Sequence, residues 1–406
     1  MTSRLSICYA APGHTLLSSA GSTRNILAVA DALSEWADVT VAFRRVAEPF
    51  HSDNFTVIAM DAAGDDGGEA RDDVAARGLN PMSHWRFMRT LRNFAAKSRT
   101  SYDLVFEKGW RLSGYLARTF VEQGVPAVLV ENDARWWSEP LRDPRTIARF
   151  VMHSAAQRLA GRYSRTLPLI IVETEELKTA LAVQRGVDPA RVRVVTLGVD
   201  HSLFAPMSQQ TARDRLGIST EVLVMLYVGG MDQYHDLSPL LFALASKSPA
   251  GLEVHLVGDG DYRNRYEALA DGLTTPVLFH GQVDHEQVPT YISAADVCLA
   301  PYRIQEFYAG QVSFSTLKIP EYMACGRPVI SVPSGNILNL VEHAASGLLF
   351  PNEPDHWLDL FNELPTREQF AEMGIAAAPG AARFDWSTTA RNYLELGRAV
   401  LNPPLS

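Results

Sequence analysis

Short continuous runs of apolar and β-branched residues, each followed by a glycine or polar turn and then a helical stretch, recur along the whole chain. In the first half they are Arg4–Tyr9, Val39–Phe43, Phe55–Met60, Tyr102–Phe106, Pro126–Val130, Pro168–Val172 and Val192–Thr196. In the second they are Val222–Val228, Leu252–Val257, Pro276–His280, Asp296–Ala300, Pro328–Val332 and Gly347–Phe350. Continuous rather than alternating runs suit strands covered on both faces, as in a parallel sheet. Their alternation with helical stretches implies right-handed strand–helix–strand units. Two such series predict an α/β protein of two Rossmann-like domains. At 406 residues, 47% of them apolar, the chain can fill two cores. Gly198-Val199-Asp200 and Phe204-Ala205-Pro206 punctuate the point between the series. The domains are therefore expected over 1–197 and 207–385. Ligands of open parallel sheets bind beyond the carboxyl ends of the strands, so two such sheets facing one another predict a cleft with a small-molecule site.

Composition narrows the function. No apolar run is long enough to span a bilayer, and Met1–Tyr9 lacks the charged and apolar regions of a cleaved signal, so a cytoplasmic protein is expected. Cys8, Cys298 and Cys325 sit in apolar segments without metal or redox spacing, and are expected to be buried thiols. The net charge of −9 divides into +2 over residues 1–200 and −11 over the remainder. An acidic chain without a basic stripe is a poor nucleic-acid binder. The slightly basic first half can still meet an anionic acceptor or a membrane surface.

Three local segments stand apart. The acidic, glycine-rich stretch Ala62–Ala75 reads as a loop. The stretch His84–Arg99 places Trp85, Met88, Leu91 and Phe94 among five basic residues. It is either a basic amphipathic helix for peripheral membrane or anionic-acceptor contact, or an ordinary surface helix. Trp136-Trp137, with Arg135 and Glu139, either lines an acceptor site or packs in a core.

The most informative segment is Gly310–Pro333, GQVSFSTLKIPEYMACGRPVISVP. Ser313 to Thr316 are expected to open a helix with Ser315 as N-cap, so that the following N–H groups, at Thr316 and Leu317, form an anion site. Lys318 in the first turn opposes the helix dipole unless an anion is near. Glu321, three residues on, shares its face and suits a ribose diol. Gly326 closes the helix. In Leu226–Leu241, Gly229-Gly230 end a strand where backbone can approach a ligand, and His235 follows in a turn. Gly258 ends the next strand, and Asp261 is expected to cap a helix rather than pair with Asp259 on a metal. Val283, after Gly281, could hold a nucleobase.

These elements, in this order, make the C-terminal half resemble the nucleotide-sugar domain of family 4 (group 1) retaining glycosyltransferases of the GT-B fold. The likeness runs over roughly residues 190–400: Gly198-Val199-Asp200 with Phe204 and Pro206, Tyr227–Gly229, Val257–Gly260, Gly281 and Val283, Ala294–Asp296 with Pro301, Leu317–Ile330, Glu342 with Gly347-Leu348, and Phe384–Trp386. The first half matches more loosely, through a loop Gly13 to Gly21 and through Glu131-Asn132. The resemblance implies a C-terminal helix and tail, 386–406, crossing back to the first domain. It also implies a nucleotide-diphosphate-sugar donor, and an acceptor hydroxyl on a glycan, a lipid-linked saccharide or a small molecule.

By the same resemblance Glu321 binds the donor ribose, while the family's other acid falls on Ser313 and is missing. Gly230 and His235-Asp236 stand where much of the family has Arg and Lys-Gly. Lys318, His235 and the N–H groups near Ser315-Thr316 are left to meet the diphosphate. The N-domain strand that often carries a histidine continues into Glu107-Lys108-Gly109. The acceptor proton goes to the departing phosphate, or to Glu107, with Glu131 as a lesser base. No metal and no cofactor are implied. Alternatives are a non-catalytic nucleotide-sugar-binding homologue, a sugar-nucleotide epimerase, and a nicotinamide-dependent dehydrogenase. The last is disfavoured because neither half has G-x-G-x-x-G between a strand and a helix.

Overall fold

Every apolar run named above carries a strand in the computed structural model, which describes residues 4–16, 21–61, 81–132 and 140–402. The chain divides into two units. One comprises the residues up to Leu197, the short segment Ser313–Ser315 and everything from Trp386 on; the other comprises Gly198–Val312 and Thr316–Asp385.

The strands of the first unit are β1 (Leu5–Leu16), β2 (Ala37–Val46), β3 (Thr56–Ala59), β4 (Leu104–Lys108), β5 (Ala127–Glu131), β6 (Ile170–Val172) and β7 (Val192–Val194). They form one sheet in the order β3-β2-β1-β4-β5-β6-β7, parallel throughout. The intervening helices are α1 (Gly21–Ser34), α2 (Pro81–Ser98), α3 (Tyr115–Glu122), α4 (Pro144–Ser164) and α5 (Glu175–Arg185). Strand β1 runs on past Tyr9 to Leu16: after a register shift, Thr15 and Leu16 still pair with Arg45 and Val46 of β2. Gly13 therefore lies in a strand rather than in the expected loop, and Gly21 opens α1. Residues 17–20 between them lie outside the described residues, as do Ala62–Ala75 and Trp136-Trp137 with Arg135 and Glu139.

The second unit holds β8 (Leu223–Val228), β9 (Leu252–Val257), β10 (Val277–Gly281), β11 (Val297–Ala300), β12 (Val329–Ser331) and β13 (Gly347–Leu349). Its helices are α6 (Gln209–Leu216), α7 (Ser238–Ser246), α8 (Arg263–Ala270), α9 (Val288–Ala294), α10 (Lys318–Ala324), α11 (Pro354–Asn362) and α12 (Arg367–Ala381). The parallel sheet runs β10-β9-β8-β11-β12-β13. The last helix, α13 (Trp386–Leu401), belongs to the first unit, where it packs on α1 and adds Ala390, Tyr393 and Leu394 to the core of β1, β2 and β4. All three cysteines are buried and unpaired.

Asp296, singled out in the sequence only as part of a motif, is a structural node. Its carboxylate accepts from Arg213 Nη2 at 2.7 Å, the Val224 N–H at 2.7 Å, Gln209 Nε2 at 3.0 Å and Arg367 Nε at 3.1 Å. It thereby joins β8, the start of β11, α6 and α12. The Arg213 side chain is only 1% exposed, so Asp296→Ala strands a buried guanidinium. A loss of about 3–5 kcal/mol is expected in urea unfolding; a loss below about 1 kcal/mol would show the node to be dispensable.

Candidate functional site

Both strand orders contain a switch point, where the chain stops adding strands on one side of the first strand and resumes on the other. Open α/β sheets hold their ligands there. In the second sheet it lies between β8 and β11, and the predicted donor residues gather at it. Beyond β8, Gly229 takes a φ of 146°, and a Cβ on it would come within 2.8 Å of Lys318 Nζ. The ammonium thus lies against bare backbone. It donates to Tyr227 Oη at 3.2 Å and sits 4.3 Å from the Tyr227 ring centroid and 5.8 Å from that of Tyr302. Burial lowers its pKa to about 7, against the pull of Asp232 and Glu321. A cation held at this cost is suited to an anionic ligand.

The ends of β8, β9 and β10 interlock through backbone. Gly258 donates its N–H to Gly281 O at 2.7 Å, and Met231 donates to Asp259 O at 2.9 Å. A Cβ on Gly258 would fall 2.0 Å from Gly229 O, and one on Gly260 2.3 Å from Met231 O. Glycine is required at both positions by this close approach and by their positive φ. Val283 follows β10, half-buried.

His235 lies beside Lys318, its ring 5.9 Å from Tyr227 and 5.1 Å from Tyr302. Burial first, and then the Lys318 charge, lower its pKa to about 4, although Asp232 opposes both. Its Nδ1 lies 2.9 Å from Asp232 Oδ1. A neutral imidazole that donates there leaves Nε2 as an acceptor. His235 in this state can take a hydrogen bond from a sugar hydroxyl, whereas donation to a phosphate oxygen requires the imidazolium. Glu321 follows Lys318 one turn along α10.

The structure corrects several expectations. Helix α10 starts at Lys318 with Leu317 as its N-cap, and no side chain caps it. Ser315 is two residues too early, in a segment that is still irregular, and its N–H goes to Glu173 Oε2 at 3.3 Å. Ser313 O accepts from the Thr174 hydroxyl. Both serines group with the first unit, and neither amide end forms the expected anion site. Thr316 bonds Tyr302 Oη at 2.5 Å. What remains for a phosphate is Lys318 and the opening N–H groups of α10 at Leu317–Ile319, ahead of Pro320. Likewise α8 is capped by Tyr262 without a side-chain bond, not by Asp261.

In the first sheet the switch point lies between β1 and β4. Gly13 of β1 is overlain by Trp110, whose Cβ would be 2.6 Å from a Cβ on Gly13. Glu107 is the next-to-last residue of β4 and is fully buried. Its Oε1 accepts from Trp110 Nε1 at 2.7 Å and the Gly114 N–H at 3.1 Å, and its Oε2 from the Ala117 N–H at 2.6 Å. It therefore satisfies the open end of α3 and is not placed as a base, although burial raises its pKa to about 7. Lys108 pairs with Glu173 at 3.4 Å, both 3% exposed. Burial works against the charge on Lys108, but Tyr9 and Glu173 together raise its pKa. Glu131 pairs with Arg185 at 2.5 Å and, with Asn132, crowds Gly109. Sequence reasoning missed Glu173, Arg185 and Asp232. Each acts only through a partner remote in sequence or across a turn, and no local pattern marks it.

Helix α2 forms as expected, but Phe87, Leu91 and Ala95 face the core while Trp85 is 61% exposed. Among the described residues no helix is long and apolar enough to cross a membrane.

This fold is shared along its length with solved sugar-transferring enzymes. Sucrose-phosphate synthase of Thermosynechococcus elongatus superposes with a TM-score of 0.76 at 20% identity, covering 99% of this chain and all of the other. Anabaena HepE, solved in complex with UDP-glucose, gives 0.69 at 19%, covering 96% and 98%. These likenesses define the fold class: two Rossmann-like units, as in GT-B proteins. A family model described as "Glycosyl transferases group 1" matches residues 223–365. The D-inositol 3-phosphate glycosyltransferase of Nocardioides sp. is 28% identical over 337 residues, 76% of this chain and 69% of its own length. Over residues 223–365 the chain resembles the group 1 glycosyltransferases, and it is a glycosyltransferase dependent on a nucleotide-sugar donor. These relatives speak for transfer and not for a non-catalytic binder.

Proposed function

We propose that the protein transfers a hexose from a uridine-diphosphate sugar to an acceptor hydroxyl, with retention of anomeric configuration. The observation that carries this is the half-buried Lys318 ammonium lying against Gly229 at the switch point of the second sheet. HepE with UDP-glucose supports the choice of donor base and sugar. The diphosphate lies on Lys318 and the first turn of α10, the ribose diol on Glu321, and the base beside Val283. His235 Nε2 accepts from a sugar hydroxyl, in the role left open by Ser313.

In the reaction the bond from the anomeric carbon to the diphosphate oxygen breaks, and the acceptor oxygen takes its place. The acceptor proton passes to an oxygen of the departing diphosphate. Glu107, held by three donors, and Glu131, paired with Arg185, leave that oxygen as the base. The leaving group's charge is met by preorganised protein donors, so the enzyme works without a metal. Transfer is expected to continue undiminished in EDTA. Activity lost to chelation and restored by magnesium or manganese would overturn this reading.

The acceptor site is assigned to the switch point of the first sheet, around Gly13, Lys108, Glu131 and Asn132. The Nocardioides relative's name makes D-inositol 3-phosphate the first acceptor to test, ahead of lipid-linked saccharides. The donor is tested by calorimetry with UDP-glucose. Wild type is expected to bind, with Lys318→Ala and Glu321→Ala each weakened about ten-fold or more. Unchanged affinity in both variants would remove the donor assignment.

A further inference from the structure

Helix α4 is long and poorly buried. Of its 21 residues only Ala160, Gly161 and Ser164, all in the last turns, are buried. That end is fixed: Gly161 packs on the Arg185 backbone, and Tyr163 meets Tyr115 of α3 edge-on at 5.3 Å. The preceding four turns bury no residue, yet an apolar row runs among the arginines of their exposed side. Ile147, Val151, Ala155 and Leu159 follow one another at four-residue spacing, which aligns them on one face. Ile147 is 47% exposed, Val151 58% and Leu159 40%. Arg145, Arg149, Arg158 and Arg162 accompany this stripe, and between Pro144 and Ser164 there is no acidic residue.

Helix α2, which also packs on α3, is basic as well. It carries Arg86, Arg89, Arg92 and Lys97 with no acid between Pro81 and Ser98. It presents Trp85 outward, with the Arg89 guanidinium 5.9 Å from the indole ring. Helix α3 touches both neighbours and adds the exposed Val121. In a chain of net charge −9, α2 and α4 together carry eight Lys and Arg residues beside an exposed apolar stripe.

We propose that the α4 stripe, assisted by α2, docks the enzyme on an anionic lipid bilayer. Apolar side chains enter the headgroup boundary while the flanking cations meet lipid phosphates, as for helices that lie in the membrane plane. A second copy of this chain fits the face poorly: two α4 helices brought stripe to stripe would oppose arginine to arginine with no acid to answer them. Screening by salt follows from the same charges.

The test is flotation of the full chain with vesicles of phosphatidylcholine alone, or with about 30% phosphatidylglycerol. Wild type is expected to float only with the anionic vesicles, and less as salt rises from roughly 0.1 M to 0.5 M. Changing the four α4 arginines to glutamine is expected to weaken partitioning about ten-fold or more. Ile147→Ser with Val151→Ser is expected to weaken it at unchanged charge. Circular dichroism and melting confirm that the variants stay folded, since the changed residues are all on the surface. The proposal falls if wild type ignores anionic vesicles, or if both variants bind as wild type does. It also falls if sedimentation shows a dimer that Val151→Ser dissolves without any lipid binding.

Discussion

Changing Lys318 to methionine is expected to lower kcat/KM for sugar transfer by about 10²- to 10³-fold, the loss typical when one preorganised charge is removed from a developing oxyanion. The fold should survive, because methionine fills the same space against Gly229 and the two tyrosine rings. The pH profile supplies an independent check. The ammonium is the active form, and burial sets its pKa at about 7 in the free enzyme. As pH rises through that value the charge is lost, so kcat/KM should fall by about ten-fold per unit at higher pH. The neighbouring groups do not mimic this limb: Asp232 is held ionised to lower pH, His235 is neutral above about 4, and the Tyr227 and Tyr302 phenols are raised. Lys318→Arg keeps a charge at all these pH values and should flatten the profile. A limb that persists unchanged in Lys318→Arg would mean that another group carries it.

A second large effect is expected at Glu107, on stability rather than on chemistry. Glu107→Ala leaves the indole N–H of Trp110 and the N–H groups of Gly114 and Ala117 buried without their acceptor. At about 1–3 kcal/mol for each orphaned group, the cost is on the order of 3 kcal/mol or more. Glu107→Gln keeps one acceptor oxygen and should cost less. Per folded molecule, turnover by Glu107→Gln should match wild type, because the carboxylate is already committed to three donors. Turnover reduced a thousand-fold in a stable Glu107→Gln protein would restore it as the acceptor base.

The two substitutions also show what the sequence could and could not display. Strand positions were legible because each run is apolar on both faces and ends at a turn, so Val222–Val228 or Pro328–Val332 announces itself without tertiary help. Lys318 was legible because a cation at the start of a helix contradicts the local dipole and demands a reason. Glu107 misled, since a carboxylate at the end of a parallel strand looks catalytic until its donors are known. Those donors lie three, seven and ten residues on, in a turn whose path no propensity fixes. Ser315 misled differently: a serine before a helical run is a plausible cap, but the helix begins two residues later than that cap requires. Helix α4 carries no motif in the sequence, and its apolar positions do not tell by themselves which way they face. Only burial shows that the stripe points outward.

The placement of α13 bears on how the polypeptide matures. Ala390, Tyr393 and Leu394 complete the core built on β1, β2 and β4, and Gly397 admits the Leu104 side chain close to the helix backbone. A ribosome makes these residues hundreds of codons after β1 and β2. The amino-terminal sheet must therefore wait, incompletely covered, until α13 is made, whereas the second sheet has all of its strands and helices before then. Nascent chains arrested ahead of Trp386 should thus yield a protease-resistant carboxyl-terminal body tethered to a labile amino-terminal one, reversing the usual vectorial order of domain maturation.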